Sequence, residues 1–300
     1  MAENPSDPSR QTDGDSAMEK KAEEADTRGL DGLSSAELLA TRQGFWGDGF
    51  TEVILCRIPD GAKSIVDIGC GLAAAAHALL PRLPAVNYIG VDADELRLRN
   101  ARELLAGKPY EARVELRIGQ AEKLPFGNAE ASFAMCCMTL QHLLDPATAV
   151  RQISRILDSN GRVVVAEPDN LSNLFYFDAN LEEVNSAFRG LFLRLRRERF
   201  PRDCAIGPNV AKLFEREKFS IAEFFPYMVG KAKRQTARQS FDRARQIVKI
   251  VSHNLPPENL EVRACNIALD RAESSIGSET FGYYCQLVPL FICVADKINR

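Results

Sequence analysis

The 300-residue sequence predicts an α/β protein with a doubly wound, mostly parallel sheet. Three observations predict it. Short apolar runs alternate with amphipathic helical stretches between residues 63 and 167, the pattern of parallel strands joined by crossover helices. The run 132–138 is almost wholly apolar, as expected of a strand covered on both faces. The stretch Lys63–Leu72 reads as a strand, a tight turn and a helix start: an apolar run ends in Asp67, Gly69 and Gly71 stand one residue apart, and four alanines follow Leu72.

Residues 1–30 are rich in Ser, Asp, Glu, Lys and Pro, lack apolar periodicity, and are expected to be a disordered acidic tail. Ser34-Ser-Ala-Glu37 has the spacing of a capping box. It opens a helical segment over 31–58 that carries Trp46 between Phe45 and Phe50, and this segment is expected to form a lid. Residues 59–170 form the core: strands at 64–68, 87–91, 114–118, 132–138 and 162–166, with helices at 72–80, 94–105 and 146–157 between them. Asn160-Gly161 marks the stop of the last helix. Residues 171–300 are less regular. Helices are expected at 180–199, 210–218, 231–253 and 260–275, a sixth strand at 221–227 and a seventh at 283–294, so a helical insertion over 230–282 separates the last two strands.

Composition excludes several classes. No apolar run approaches the roughly 20 residues of a membrane span, and the polar N-terminus shows no secretory signal, so a cytoplasmic location is expected. The formal charge is -3; residues 1–35 hold nine acidic and four basic residues, leaving the remainder near +2, which argues against a nucleic-acid binder. Cysteines 56, 70, 136, 137, 204, 265, 285 and 293 form no Cys-x-x-Cys pair, and the three histidines are not spaced with them as ligands, so no metal site is expected.

A glycine turn at a helix start suits two ligands. A dinucleotide wants Gly-x-Gly-x-x-Gly/Ala and an acidic residue about 20 positions on, which Gly69, Gly71, Ala74 and Asp92 meet loosely. Asp67 weighs against it: a carboxylate there is costly without donors or a positive charge, and it repels a pyrophosphate. A ligand with an ammonium and a sulfonium and no phosphate suits it better. S-adenosyl-L-methionine is one.

Asp67-Ile-Gly-Cys-Gly71 resembles motif I of the class I S-adenosylmethionine-dependent methyltransferases. Further matches follow in order: Ile89-Gly-Val-Asp92 resembles the acidic end of the second strand, Gly119–Phe126 the loop after the third, Ser132–Leu143 the fourth strand and its exit, and Ile156–Val165 with Glu167-Pro-Asp169 the fifth. The resemblance covers about residues 60 to 170, and the overall layout resembles bacterial small-molecule methyltransferases of the ubiquinone/menaquinone and natural-product type. It implies a Rossmann-like, seven-stranded sheet with an antiparallel last strand. It implies that Asp67, Gly69 and Gly71 border the methionine moiety, that Asp92 accepts from the ribose hydroxyls, that Gln120 and Ala121 frame the adenine, and that the Met138 backbone borders the methionine end. Gln120 departs from the Asp usual at its position, and Ala73 stands where a third alternating glycine would.

The implied reaction is in-line methyl transfer to an O, N or C nucleophile, in which the protein chiefly positions the acceptor. His142, past the fourth strand, and Glu167, at the end of the fifth, are the candidate bases, with Asp169 beside them. No Asn-Pro-Pro-aromatic tetrad follows the fourth strand, which argues against amino-methylating DNA enzymes and their glutamine-modifying relatives. Phe175, Tyr176, Phe177, Phe188, Phe192 and Phe200, with arginines between 189 and 199, suggest an aromatic pocket for a small acceptor bearing an acid group. Three other readings compete: a binding protein without turnover, an enzyme acting on protein or RNA through the basic Lys231–Lys249 segment, and dinucleotide oxidoreduction.

Overall fold

The computed structural model describes residues 45–178, 181–230, 232–252, 255, 256 and 258–298. The tail expected over 1–30 and the first part of the helical segment expected over 31–58 lie outside the described residues.

The strands are β1 (Ser64–Ile68), β2 (Asn87–Asp92), β3 (Val114–Ile118), β4 (Ala131–Cys137), β5 (Leu157–Pro168), β6 (Leu174–Phe177), β7 (Phe219–Val229), β8 (Lys233–Thr236) and β9 (Phe281–Lys297). The helices are α1 (Asp48–Leu55), α2 (Ala74–Leu79), α3 (Glu95–Leu105), α4 (Pro146–Ile156), α5 (Glu182–Glu198), α6 (Val210–Arg216), α7 (Ala237–Val251) and α8 (Leu260–Ile276). The principal sheet runs β3-β2-β1-β4-β5-β9, with β7 on the far side of β9. β1 to β5 are parallel, and β9 enters antiparallel between β5 and β7. This is the doubly wound arrangement expected, with the predicted antiparallel last strand.

Helices cover both faces. One core packs α2 and α3 against Ile65, Tyr88 and Met135; the other packs α4 and α6 against Val66, Ala134 and Val165. Alternate residues of β1 and β4 thus enter opposite cores, which is why apolar side chains dominate these strands. α1 belongs to the first core. Phe50 and Ile54 are fully buried, and the Phe50 ring lies 4.9 Å from Trp46 and 5.8 Å from Tyr227 of β7. Lifting α1 would re-expose these side chains at about 1.5–3 kcal/mol each. The described part of the expected lid is thus packed into the first core.

Two strands were not foreseen. β9 is 17 residues long, and its first half extends past the carboxyl end of β5, where Leu290 pairs with Pro168. There it pairs with β6 on one side and β8 on the other. Helices α5, α7 and α8 back this second layer through Phe188, Leu191, Phe241, Ala244, Cys265 and Leu269. The helix expected over 231–253 starts instead at Ala237, where the Thr236 side chain accepts from the Gln239 amide in a capping box. Asn160-Gly161 does not end a helix in open loop either. α4 stops at Ile156, and residues 158–161 bulge within β5, between the Ala131–Leu157 and Phe133–Arg162 pairs.

At the amino-terminal edge the Arg113 guanidinium donates to the carbonyls of Leu80 (3.0 Å), Leu83 (2.6 Å) and Val86 (2.6 Å), tying the chain before β2 to that before β3. Arg113→Ala strips three carbonyls of a charged donor and is expected to lower unfolding free energy by about 2–4 kcal/mol, measured by urea denaturation.

Candidate active site

The carboxyl ends of β1, β2, β4 and β5 converge, and the glycine turn lies over them. Gly69 and Gly71 have φ of +75° and +53°, which glycine adopts without penalty. The amides of Gly69 and Cys70 both donate to the Val91 carbonyl (2.8 and 3.0 Å), so the turn is folded onto β2. That approach needs Gly90: a Cβ there would stand 2.8 Å from Cys70 Sγ. At Gly69 a side chain would collide with Thr139, whereas at Gly71 it would meet open space. Bare backbone at Gly71 therefore faces an opening. Ala73 takes the same left-handed conformation (φ 55°) as the N-cap of α2, which explains why a glycine is the easier residue there.

Asp92 is buried, and its carboxylate fastens the turn. Oδ2 accepts from the Gly71 amide (2.8 Å) and Oδ1 from the Asp94 amide (3.0 Å). Each oxygen retains a further lone pair. Asp67 lies deeper, paired in register with Gly90 and Met135, and accepts a hydrogen bond from the buried Tyr88 hydroxyl. Burial pushes its pKa up to about 7, against the lowering effect of that hydrogen bond and with a smaller upward push from Asp92. Tyr88, its pKa raised well above the usual value by burial and then by Asp67, keeps its proton and donates.

After β3, Gln120 is exposed, its carbonyl accepting from the Lys123 amide (2.9 Å), and Ala121 is buried. Sequence reasoning missed Ile118. It pairs in register with Asp92 and leaves 57 % of its surface in solvent, an apolar side chain standing open beside an acidic site. Its only sequence signal is its place immediately before Gly119.

After β4, Met138 adopts φ 55°, strained for a residue with a side chain, and its amide donates to the Ala166 carbonyl (2.7 Å). Glu167 then meets the chain end-on. It is fully buried; Oε1 accepts from the amides of Thr139 and Leu140 (2.8 Å each) and Oε2 from that of Gln141 (3.2 Å). Burial lifts its pKa to about 7, with the three amides pulling the other way. This differs from the expectation of a base facing substrate, because both oxygens point into the turn Leu140–His142. His142 is exposed on that turn. Asp169 caps the next turn, accepting from the Leu171 amide (3.1 Å) and the Ser172 hydroxyl (2.6 Å).

The acceptor-side expectation fares less well. Phe175, Phe177, Phe188 and Phe192 are buried in the second layer's own core, while Tyr176 and Phe200 are exposed. Arg194 and Arg196 pair with Glu198 and Asp203 on the outer side of α5. The physical reason is periodicity: β6 alternates, and the α5 stripe Val184–Phe188–Leu191–Leu195 faces inward with the arginines opposite. Within the basic segment, Arg238 is paired to Glu279, and Arg245 to Asp242, Asp270 and Glu273. Among the described residues no three His, Cys, Asp or Glu stand together as a metal ligand set, and no helix is long and apolar enough to cross a membrane. A surface pocket of about 330 Å³ lies at the opposite edge of the sheet, beside the Arg162–Asp296 ion pair, far from the glycine turn.

Residues 66–165 match the family described as a methyltransferase domain, a span that begins in β1 and ends in β5. Over these residues the chain carries a methyltransferase domain. A demethylmenaquinone methyltransferase of Desulfitobacterium hafniense is 35 % identical over 102 residues, 34 % of this chain and 40 % of that protein. An uncharacterised protein in a transposon of Streptomyces fradiae is 27 % identical over 197 residues, 65 % of this chain and 54 % of that one. The chain thus spans about half the length, or less, of the curated relatives it matches. The YcgJ protein of Bacillus subtilis superposes with a TM-score of 0.53 over 83 % of this chain and 97 % of its own, at 18 % identity, and so shares the fold. The methyltransferase domain supplies the glycine turn and the Asp92 clasp, whereas β6, β8 and α5 to α8 lie outside the matched residues.

Proposed function

We propose that the chain transfers a methyl group from S-adenosyl-L-methionine to a small-molecule acceptor. The observation that carries this reading is the Asp92 clasp. A buried carboxylate holds the glycine turn by one hydrogen bond per oxygen and keeps acceptor capacity beside the opening at Gly71. A ribose with two adjacent hydroxyls fits that remaining capacity. Asp67, Gly69, Gly71 and the Met138 backbone would border the methionine moiety, and Gln120 and Ala121 the adenine, with Ile118 offering an apolar face beside them. The bound donor supplies a methyl carbon activated by its sulfonium.

The protein's own work is placement. The turn and the post-β4 loop fix the wall against which an acceptor is held, which is worth several kcal/mol of barrier when the approach is in line. His142 is the group best placed to take a proton from an O or N acceptor, since it is exposed on the loop that leaves β4. Glu167 and Asp169 are engaged with backbone amides. Similarity to a demethylmenaquinone methyltransferase supports a small acceptor for this chain too. Arg194, Arg196, Arg238 and Arg245 are already paired with carboxylates of this chain, so they give no support to an acidic group on the acceptor or to RNA.

Calorimetric titration with S-adenosylmethionine, S-adenosylhomocysteine and NAD tests the donor. Binding of the first two is expected; binding of NAD alone overturns the reading. Release of S-adenosylhomocysteine in the presence of phenolic, quinol and carboxylate acceptors tests turnover.

A further inference from the structure

Methyl transfer gives the buried Glu167 no chemical task, and its surroundings are unusual. Glu167 has no surface exposure, and among the described residues it is held by backbone amides rather than by a cation. A carboxylate in such a place is costly, and a neutral side chain of the same shape would avoid most of that cost. The three amides it binds are those of Thr139, Leu140 and Gln141, consecutive residues that follow Met138.

Each of the outer two leads to a different side of the site. Thr139 fills the space where Gly69 has no Cβ, and its hydroxyl donates to the Cys137 carbonyl (3.1 Å). A shift of Thr139 therefore moves against the glycine turn. Gln141 donates through Nε2 to the Met138 carbonyl (3.4 Å) and accepts at Oε1 from Asn170 (3.2 Å). Asn170 in turn donates to the Cys204 carbonyl (2.6 Å) on the acceptor side. Met138, immediately before Thr139, is in a left-handed conformation that its neighbours must impose.

We infer that Glu167 is a positioning residue: its two oxygens hold the Met138–Gln141 backbone as the wall shared by the methyl-donor and acceptor subsites, and it takes no proton from the acceptor. The inference rests on the proposed S-adenosylmethionine site. Glu167→Gln keeps the volume and two of the three acceptor bonds. Its amide nitrogen then faces the Gln141 amide donor to donor, so the wall opens at Gln141.

The experiment titrates wild type and Glu167→Gln with S-adenosylhomocysteine at pH 8 and records both melting temperatures. The expected result is an affinity about tenfold weaker in the variant, with a melting temperature equal to or above that of wild type, because the buried charge is gone. Unchanged affinity with lost turnover would make Glu167 a base and overturn the inference. A fall in affinity that accompanies a fall in melting temperature would reduce it to an ordinary structural contact and also overturn it. If wild type itself binds no S-adenosylhomocysteine, the donor reading falls and takes this inference with it. If both bind equally well and turn over equally, only the inference falls.

Discussion

Asp92→Ala is expected to weaken S-adenosylmethionine binding at least a hundredfold, to the limit of calorimetric detection. Two losses combine. The first is the pair of charge-assisted hydrogen bonds proposed to the ribose, about 1.5–3 kcal/mol each. The second is internal: the Gly71 and Asp94 amides lose their acceptor, and the turn that presents Gly71 is no longer fastened to β2. A total of at least about 3 kcal/mol corresponds to at least about 10² in affinity. Asp92→Asn separates the two. It keeps one acceptor oxygen but sets an amide nitrogen against one of the backbone donors, so an intermediate loss is expected. Circular dichroism of both variants checks that the sheet persists. Asp92→Ala binding within threefold of wild type would show that the clasp has nothing to do with the donor. Arg113→Ala serves as the control: it weakens the fold at the opposite edge and should leave donor affinity alone.

The parts of this molecule that sequence reasoning reached are those whose signals are local. Gly69 and Gly71 advertise positive φ, the alternation of Ile65, Val66 and Ile68 between two cores gives a largely apolar run, and Asp67 and Asp92 stand in the last two positions of their strands, at the carboxyl edge of the sheet. What escaped depends on partners distant in sequence. β6 is four residues, Leu174–Phe177, and its existence is decided by β9, more than 100 residues later. Phe175 and Phe177 looked like pocket lining because nothing in their neighbourhood reveals Phe188 and Phe241 waiting to cover them. The same is true of Glu167. From sequence it is an acid at a strand end, where a base would stand; only the β4–β5 pairing brings the Thr139–Gln141 amides to its oxygens. Tyr88, the partner of Asp67, falls in this class too, since the contact follows from the β1–β2 register, which places Ile65 opposite Tyr88 and Asp67 opposite Gly90.

Those two buried carboxylates are expected to give the protein a pH response opposite in sign for folding and for donor binding. Burial raises Asp67 from 3.8 to about 7 and Glu167 from 4.5 to about 7. The folded state therefore holds protons that the unfolded chain releases, so their contribution to stability is fully present below about pH 4 and is lost as pH rises through 7. A tenfold change in proton affinity is worth about 1.4 kcal/mol, so the two carboxylates together are worth on the order of several kcal/mol between pH 4 and pH 8. Urea denaturation across that range measures it, and Asp67→Asn with Glu167→Gln is expected to flatten the profile. An unchanged slope in the double variant would remove these groups from the account. Donor binding runs the other way. A cationic ligand beside Asp67 favours its ionised form, so affinity is expected to tighten as pH rises from 6 to about 7 and then level off. Below pH 7 the dependence approaches tenfold per pH unit, with up to one proton released per donor bound, detectable as a buffer-dependent binding enthalpy. Asp67→Asn should bind more weakly at pH 8 and lose the pH dependence. If the variant keeps it, the proton belongs to another group, and Asp67 is a structural partner of Tyr88 alone.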